Sequence, residues 1–200
     1  MPRRSKHPTI SEPESTHSPA PHVQLDRPLV LVGLMGAGKS AIGRRLSNRL
    51  GLPFHDSDDA IESAAGCPIP EIFSRYGEPA FRDVERKVIG RLLTGEAKVL
   101  ATGGGAFMDP ETRATIKQRA ITLWLRADLD VLVDRTSRRN NRPLLAKANP
   151  REILRDLIEK RHPIYAEADM VVDSSNQPLE VMTDICLRAI AEFQNVKNTG

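Results

Sequence analysis

A glycine-rich loop set directly behind an apolar strand constrains this chain more than any other feature. Pro28-Leu29-Val30-Leu31-Val32 runs into Gly33-Leu34-Met35-Gly36-Ala37-Gly38-Lys39-Ser40, and a helical pattern follows. This is G-x-x-x-x-G-K-[ST] in strand–loop–helix context. Glycines let a backbone turn tightly and approach a ligand with no Cβ in the way. The amides of such a turn form a concave anion site, to which the helix beginning near Gly38 adds its free N–H groups and dipole. The motif places Lys39 to reach nucleotide β/γ-phosphates and Ser40 to ligate Mg²⁺.

The chain of 200 residues has the size of one domain, or one domain with a tail. Such a length buries about 70% of its unfolded surface and needs no disulfide or structural metal. Cys67 and Cys186 make no zinc spacing and read as reduced core thiols of a cytoplasmic protein. A net charge of +3 with 28% charged residues of both signs does not argue for nucleic-acid binding. No apolar run approaches the roughly 18 residues of a membrane span. Residues 1–26 are rich in Pro, Ser and His and poor in large apolar side chains, and they read as a disordered tail. The basic start at Arg3, Arg4 and Lys6 has no apolar h-region behind it, and Glu12 and Glu14 count against a transit peptide.

From Arg27 onward, short apolar strands alternate with helical patterns. The strands are expected at 29–32, 53–55, 98–101, 121–125 and 170–172. Ile42, Leu46 and Leu50 mark the helix behind the loop. A long helix is expected over 79–93, another after the Asn149-Pro150 cap, and a last one after Pro178. Alternating β and α implies a parallel sheet between helices, with ligands at the carboxyl ends of the strands. The unusual residues fall there. Asp56-Ser57-Asp58 follows the second strand, Thr102-Gly103-Gly104-Gly105 the third, and Asp173-Ser174-Ser175-Asn176-Gln177-Pro178 the fifth. Asp56 and Asp58 read either as helix N-caps or as a metal and substrate pair. If the chain stays extended, the two point the same way. The three glycines read as a plain turn or as a close approach to a ligand.

Arginines narrow the chemistry further. On the 79–93 helix, Phe81, Val84, Val88 and Leu92 form an apolar stripe that contains Glu85. Arg82, at i−3, is its natural partner and would be aimed by it toward the cleft. Arg161 continues the stripe of Leu157 and Ile158, which fits a side chain reaching over an edge or simple snorkelling. The segment from Arg135 through Arg138, Arg139 and Arg142 to Leu145 is basic and interrupts two helices, as a lid over phosphates does; a solvated basic loop is the plainer reading.

Taken in order, these motifs resemble the shikimate kinase family. They are the phosphate loop, Phe54-x-Asp56-Ser57-Asp58, Phe81-Arg82-x-x-Glu85, Ala101-Thr102-Gly103-Gly104-Gly105, Arg142-Pro143-Leu144-Leu145 and Arg161-x-Pro163-x-Tyr165. The resemblance spans about 28–195. It implies a three-layer α/β P-loop kinase domain over 27–200. A five-stranded parallel sheet would be flanked by helices, with a substrate-binding helical segment at about 56–86 and a lid at about 136–149. It implies ATP cradled by Gly36, Ala37, Gly38, Lys39, Ser40 and Ala41, with Arg135, Arg142 and Gln177 also on the nucleotide. Ser40 and Asp56 would hold Mg²⁺. Asp58, Arg82, Gly104 and Arg161 would bind shikimate, and Lys39, Asp58 and Arg142 would act in phosphoryl transfer. A monomeric cytoplasmic enzyme of aromatic amino-acid biosynthesis is implied, with no nucleic-acid or membrane partner. Ala41 stands where members often carry Thr, which removes one hydroxyl from the nucleotide site. Two rival readings remain at this level: a P-loop kinase for gluconate or a nucleotide, and a non-catalytic nucleotide-binding regulator.

Overall fold

Four residues, Leu29–Val32, form the fully buried strand β1 on which the molecule is built. The computed structural model describes residues 23–137 and 149–198. In chain order β1 is followed by α1 (Lys39–Leu50), β2 (Phe54–Asp56), α2 (Ser57–Ala65), α3 (Ile69–Leu92) and β3 (Val99–Ala101). Then come a 3₁₀ turn (Ala106–Met108), α4 (Pro110–Arg119), β4 (Ile121–Arg126), α5 (Leu129–Ser137), α6 (Pro150–Tyr165), β5 (Met170–Asp173) and α7 (Leu179–Asn198).

All strand pairs are parallel, in the order β2-β3-β1-β4-β5. Because β1 lies between β3 and β4, the crossovers from it diverge, and the crevice at its carboxyl end is the switch point where ligands bind. The expected strands agree with these within a residue. Continuous burial of β1, β3 and all but the last residue of β4 accounts for sequences there without polar alternation, while β5 at the sheet edge alternates buried and exposed. Asn149 caps α6 by accepting from the Arg151 N–H at 3.1 Å. Cys186 is buried in the main core, while Cys67 packs half-buried against a smaller apolar cluster of Ile61, Ile72, Phe81 and Val88. That cluster binds α2 to α3, so the connection between β2 and β3 carries its own small core.

Two expectations change. The helix expected from 79 begins ten residues earlier, at Ile69, and is broken at Gly77, which has φ 78° and ψ 174°. Gly tolerates that conformation, and Pro79 lacks the N–H that would have bridged the break. The expected disordered tail also ends sooner than residue 26. Val23 and Leu25 are 9% exposed and belong to the main core, and Gln194 Nε2 donates to the Gln24 carbonyl at 2.6 Å. Residues 1–22 lie outside the described residues.

This clasp generates a stability prediction. Burying two such side chains contributes roughly 3 kcal/mol. Deleting 1–26 should therefore lower Tm by about 6–12 °C, while deleting 1–22 should leave it nearly unchanged. Calorimetry of both chains checks this, and equal Tm values would show that Val23 and Leu25 hold nothing together.

Candidate active site

Beyond β1 the chain turns through Gly33, Gly36 and Gly38, with φ of 138°, 85° and 95°. A Cβ on Gly33 would lie 2.5 Å from the Leu125 carbonyl oxygen, so the loop needs glycine there for space as well as for φ. Ala37 N–H donates to the Leu34 carbonyl at 3.1 Å and closes the turn. Lys39 is only 9% exposed and donates through Nζ to the carbonyls of Gly33 (2.8 Å) and Leu34 (3.0 Å). Its charge is thereby held at the loop. Ala41 is exposed on the first turn of α1.

Ser40 Oγ donates to Asp56 Oδ2 at 2.6 Å, tying the start of α1 to the end of β2. Asp56 Oδ1 accepts the Asp58 N–H at 3.1 Å, which makes Asp56 the N-cap of α2 as well. The N-cap reading of this aspartate is thus realised. The extended alternation expected of Asp56 and Asp58 does not occur, because the strand stops at Asp56 and Ser57 already begins the helix. Asp58 instead reaches the glycine run after β3.

That run is where the site is assembled. A Cβ on Gly103 would lie 2.6 Å from Asp58 Oδ1. One on Gly105 would lie 2.7 and 2.8 Å from the two terminal nitrogens of Arg82. The Gly104 carbonyl accepts from Arg161 Nη1 at 2.9 Å and from the Tyr165 hydroxyl. A Cβ on Gly104 would lie 3.3 Å from Met35 N, so the run also abuts the phosphate loop. The run is more than a plain turn, because other parts of this chain closely approach all three glycines. Carboxylate and guanidinium groups fill the space that side chains would occupy. Two hydroxyls anchor the run: fully buried Ser57 Oγ accepts the Gly103 N–H at 2.9 Å, and Thr102 Oγ1 donates to the Leu31 carbonyl at 3.0 Å.

Arg82 Nη1 donates to Glu85 Oε2 at 2.6 Å, and the Glu85 side chain is 2% exposed. Burial raises the Glu85 pKa and the Arg82 bond opposes the rise; contact at this distance keeps the pair ionic. The expected aiming of Arg82 by Glu85 therefore holds. Glu78, which the apolar stripe gave no reason to single out, takes Nε and Nη2 at 3.3 and 3.0 Å. Asp58 is open to solvent through the cleft but has protein on its other sides. Desolvation raises its pKa, the Asp56 charge adds to the rise, and Lys39 opposes it.

On the other flank, Arg135 Nη1 donates to Ser174 Oγ at 2.9 Å and to the carbonyls of Gly36 (3.3 Å) and Ala37 (3.4 Å); Nη2 reaches the Ser175 carbonyl. Buried Ser174 in turn donates to the Ala37 carbonyl at 2.8 Å. Arg135 and the β5–α7 turn thus meet at the phosphate loop, and Gln177 is exposed on that turn. Arg142 and the rest of 138–148 lie outside the described residues. Ser57, Glu78, Ser174 and the hydroxyl of Tyr165 were not assigned roles from the sequence. All but Glu78 sat inside segments that carried other site residues.

A phosphate loop at a sheet switch point, facing an acid and two arginines on a glycine run, defines a P-loop kinase domain acting on a small anionic acceptor. The family model for shikimate kinase matches residues 35–190. A shikimate kinase of Rhodopseudomonas palustris is 54% identical over 168 residues, covering 84% of this chain and 83% of that protein. One of Novosphingobium aromaticivorans is 54% identical over 174 residues, covering 85% and 90%. Among solved structures, the shikimate kinase of Acinetobacter baumannii in complex with shikimate superposes with a TM-score of 0.81 at 39% identity, covering 84% of this chain and 95% of that one. The chain belongs to the shikimate kinase family. Among the described residues, no helix is long and apolar enough to cross a membrane.

The raised Asp58 pKa carries a stability consequence. The folded value lies above the unfolded one, so the folded protein holds this proton more tightly. Stability from this group is fully present below the unfolded pKa and is lost as pH rises through the folded pKa. Asp58→Asn should therefore raise Tm at neutral pH, with the gain shrinking as pH falls through the acid range. Melting curves from pH 4 to 8 test this; a pH-independent difference would contradict it.

Proposed function

We infer that this chain transfers the γ-phosphoryl group of ATP to the 3-hydroxyl of shikimate, giving shikimate 3-phosphate and ADP. The single observation that carries the reading is the convergence of Asp58, Arg82 and Arg161 on three successive glycines that lie against the phosphate loop. A hydroxy acid needs cationic groups for its carboxylate and an acidic group for its hydroxyl, and this site offers both within reach of a phosphate donor.

Each residue then has a chemical task. The amides of Gly36, Ala37, Gly38, Lys39, Ser40 and Ala41 would wrap the phosphates, and Lys39 would turn its ammonium from the loop carbonyls onto them. Arg82, held by Glu85, and Arg161, held by the Gly104 carbonyl, would take the carboxylate through planar forks that Lys reproduces poorly. The Gly104 backbone would line the acceptor. Asp58 would orient the hydroxyl and accept its proton as the oxygen bonds to the γ-phosphorus and the bond to ADP breaks. Its raised pKa makes it a stronger base than an ordinary aspartate. Arg135 and Gln177 would lie along the nucleotide base. Arg142, by family resemblance, would add charge over the transferring group.

The Ser40–Asp56 pair fits Mg²⁺. Both ligands are hard oxygens beside the phosphate loop, and Mg²⁺ takes one or two carboxylates together with substrate phosphates and water. Held by Ser40 and Asp56, Mg²⁺ would supply neutralising charge to the phosphates. The reading includes a monomeric cytoplasmic enzyme in aromatic amino-acid biosynthesis.

A coupled ADP-release assay with a panel of acceptors tests the reading. Shikimate should drive turnover, and gluconate and AMP should not; equal turnover with either of those would overturn it. In the same assay Gly105→Ala should raise the shikimate KM at least about tenfold with little change in the ATP KM, because the new methyl displaces the Arg82 fork. Gly105 has φ −100° and ψ −16°, which Ala adopts without strain. An unchanged shikimate KM would remove Arg82 from the acceptor site.

A further inference from the structure

Tyr165 ends α6 and is 1% exposed. Its ring stacks between Phe107, at a centroid distance of 6.4 Å, and Trp124, at 5.9 Å. Phenylalanine would fill that apolar slot equally well. The phenol adds a hydrogen bond to the Gly104 carbonyl and a direct side-chain hydrogen bond with Arg161. A buried hydroxyl is costly unless bonded, so its presence there needs a reason beyond packing.

The reason lies in what shares the carbonyl. Arg161 Nη1 donates to the same oxygen at 2.9 Å. The two side chains are four residues apart on one helix and therefore emerge on one face. A carbonyl oxygen has two lone pairs, and here each has its own donor. With both filled, the Gly104 peptide plane is set by one rigid element, and the trans geometry sets the direction of the Gly105 N–H as well. Arg161 is then held by the carbonyl through Nη1 and by the phenol oxygen, which fixes the direction in which its fork faces a ligand. Without the phenol, the second lone pair opens to another N–H of Arg161, and the fork rotates toward the backbone.

We propose that Tyr165 is a positioning residue for acceptor binding: its hydroxyl fixes the Gly104 carbonyl and, through it, the orientation in which Arg161 grips the substrate carboxylate. This rests on the shikimate reading above.

The experiment is steady-state kinetics on the full chain with Tyr165→Phe, varying shikimate and ATP separately, together with Tm. The expected result is a rise in the shikimate KM of about five- to tenfold. The ATP KM should stay within about twofold and Tm within a few degrees. In an Arg161→Lys background, where the fork is already lost, Tyr165→Phe should change the shikimate KM by less than about twofold. Phe107→Leu, which loosens the same ring stack and keeps the hydroxyl, should lower Tm and leave the ratio of the two KM values unchanged. The proposal is overturned by an unchanged shikimate KM, by an equal rise in both KM values, or by additive effects in the double variant. It is also overturned if Phe107→Leu shifts the ratio as far as Tyr165→Phe, or if the Tyr165→Phe chain fails to fold. Wild-type chain that shows no shikimate-dependent turnover would instead refute the functional reading itself, before any variant is compared.

Discussion

Three consecutive residues without side chains hold the active site open. After β3 the chain runs through Gly103, Gly104 and Gly105, and the volume their Cβ atoms would need is taken by Asp58, by Arg82 and by the edge of the phosphate loop. The sheet order makes this meeting unavoidable. With β3 between β2 and β1, the loop leaving it lies beside the aspartates after β2 and the glycine loop after β1. Right-handed crossovers fix that adjacency, and α6 then delivers Arg161 and Tyr165 onto the same backbone. Donor and acceptor halves are thus joined by main chain, which cannot swing aside as a side chain can.

Bringing these charges together works against stability, and the fold bears the cost locally. Glu85 is almost fully buried, and removing its partner from such a pair costs about 3–5 kcal/mol; Arg82 at 2.6 Å prevents that. Burial raises the pKa of both carboxylates; at Asp58 the neighbouring Asp56 charge adds to the rise and Lys39 opposes it, while at Glu85 the Arg82 bond opposes it. Glu85 is bonded to a fixed partner, Arg82, whereas Asp58 lies against Gly103. The small apolar cluster between α2 and α3 supports both, since Phe81 and Val88 sit on the stripe that buries Glu85 and Ile61 sits one turn beyond Asp58.

Much of this was legible in the sequence, for reasons tied to period and spacing. The phosphate loop, the five strands and the cap at Asn149 follow from local rules that the tertiary fold did not override. Glu85 betrayed its burial by interrupting an apolar stripe at helical spacing, and half-buried Arg161 stood out by extending one. What escaped depends on contacts between distant segments. The hydroxyls of Ser57, Tyr165 and Ser174 matter through bonds to Gly103, Gly104 and Ala37, and no local pattern distinguishes them from ordinary polar residues. The break at Gly77 left the first part of α3 without a clean continuous period. Val23-Gln24-Leu25-Asp26 carries a strict in–out alternation, yet four residues at the end of a polar stretch were too short to outweigh its composition. The family resemblance supplied roles for the matched residues; the glycine geometry explains why those roles need these neighbours.

The central claim is that the glycine run presents Arg82 and Arg161 to the carboxylate of the acceptor. Isothermal titration of the full chain with shikimate and with its methyl ester, in the absence of nucleotide, tests that claim most directly. The ester keeps the ring and its hydroxyls and loses only the anionic end. Shikimate should bind at least about tenfold more tightly than the ester, as expected for the loss of charge-assisted hydrogen bonds. Equal affinity for the two would mean that the arginines do not hold the carboxylate, and the account of the acceptor site would fail.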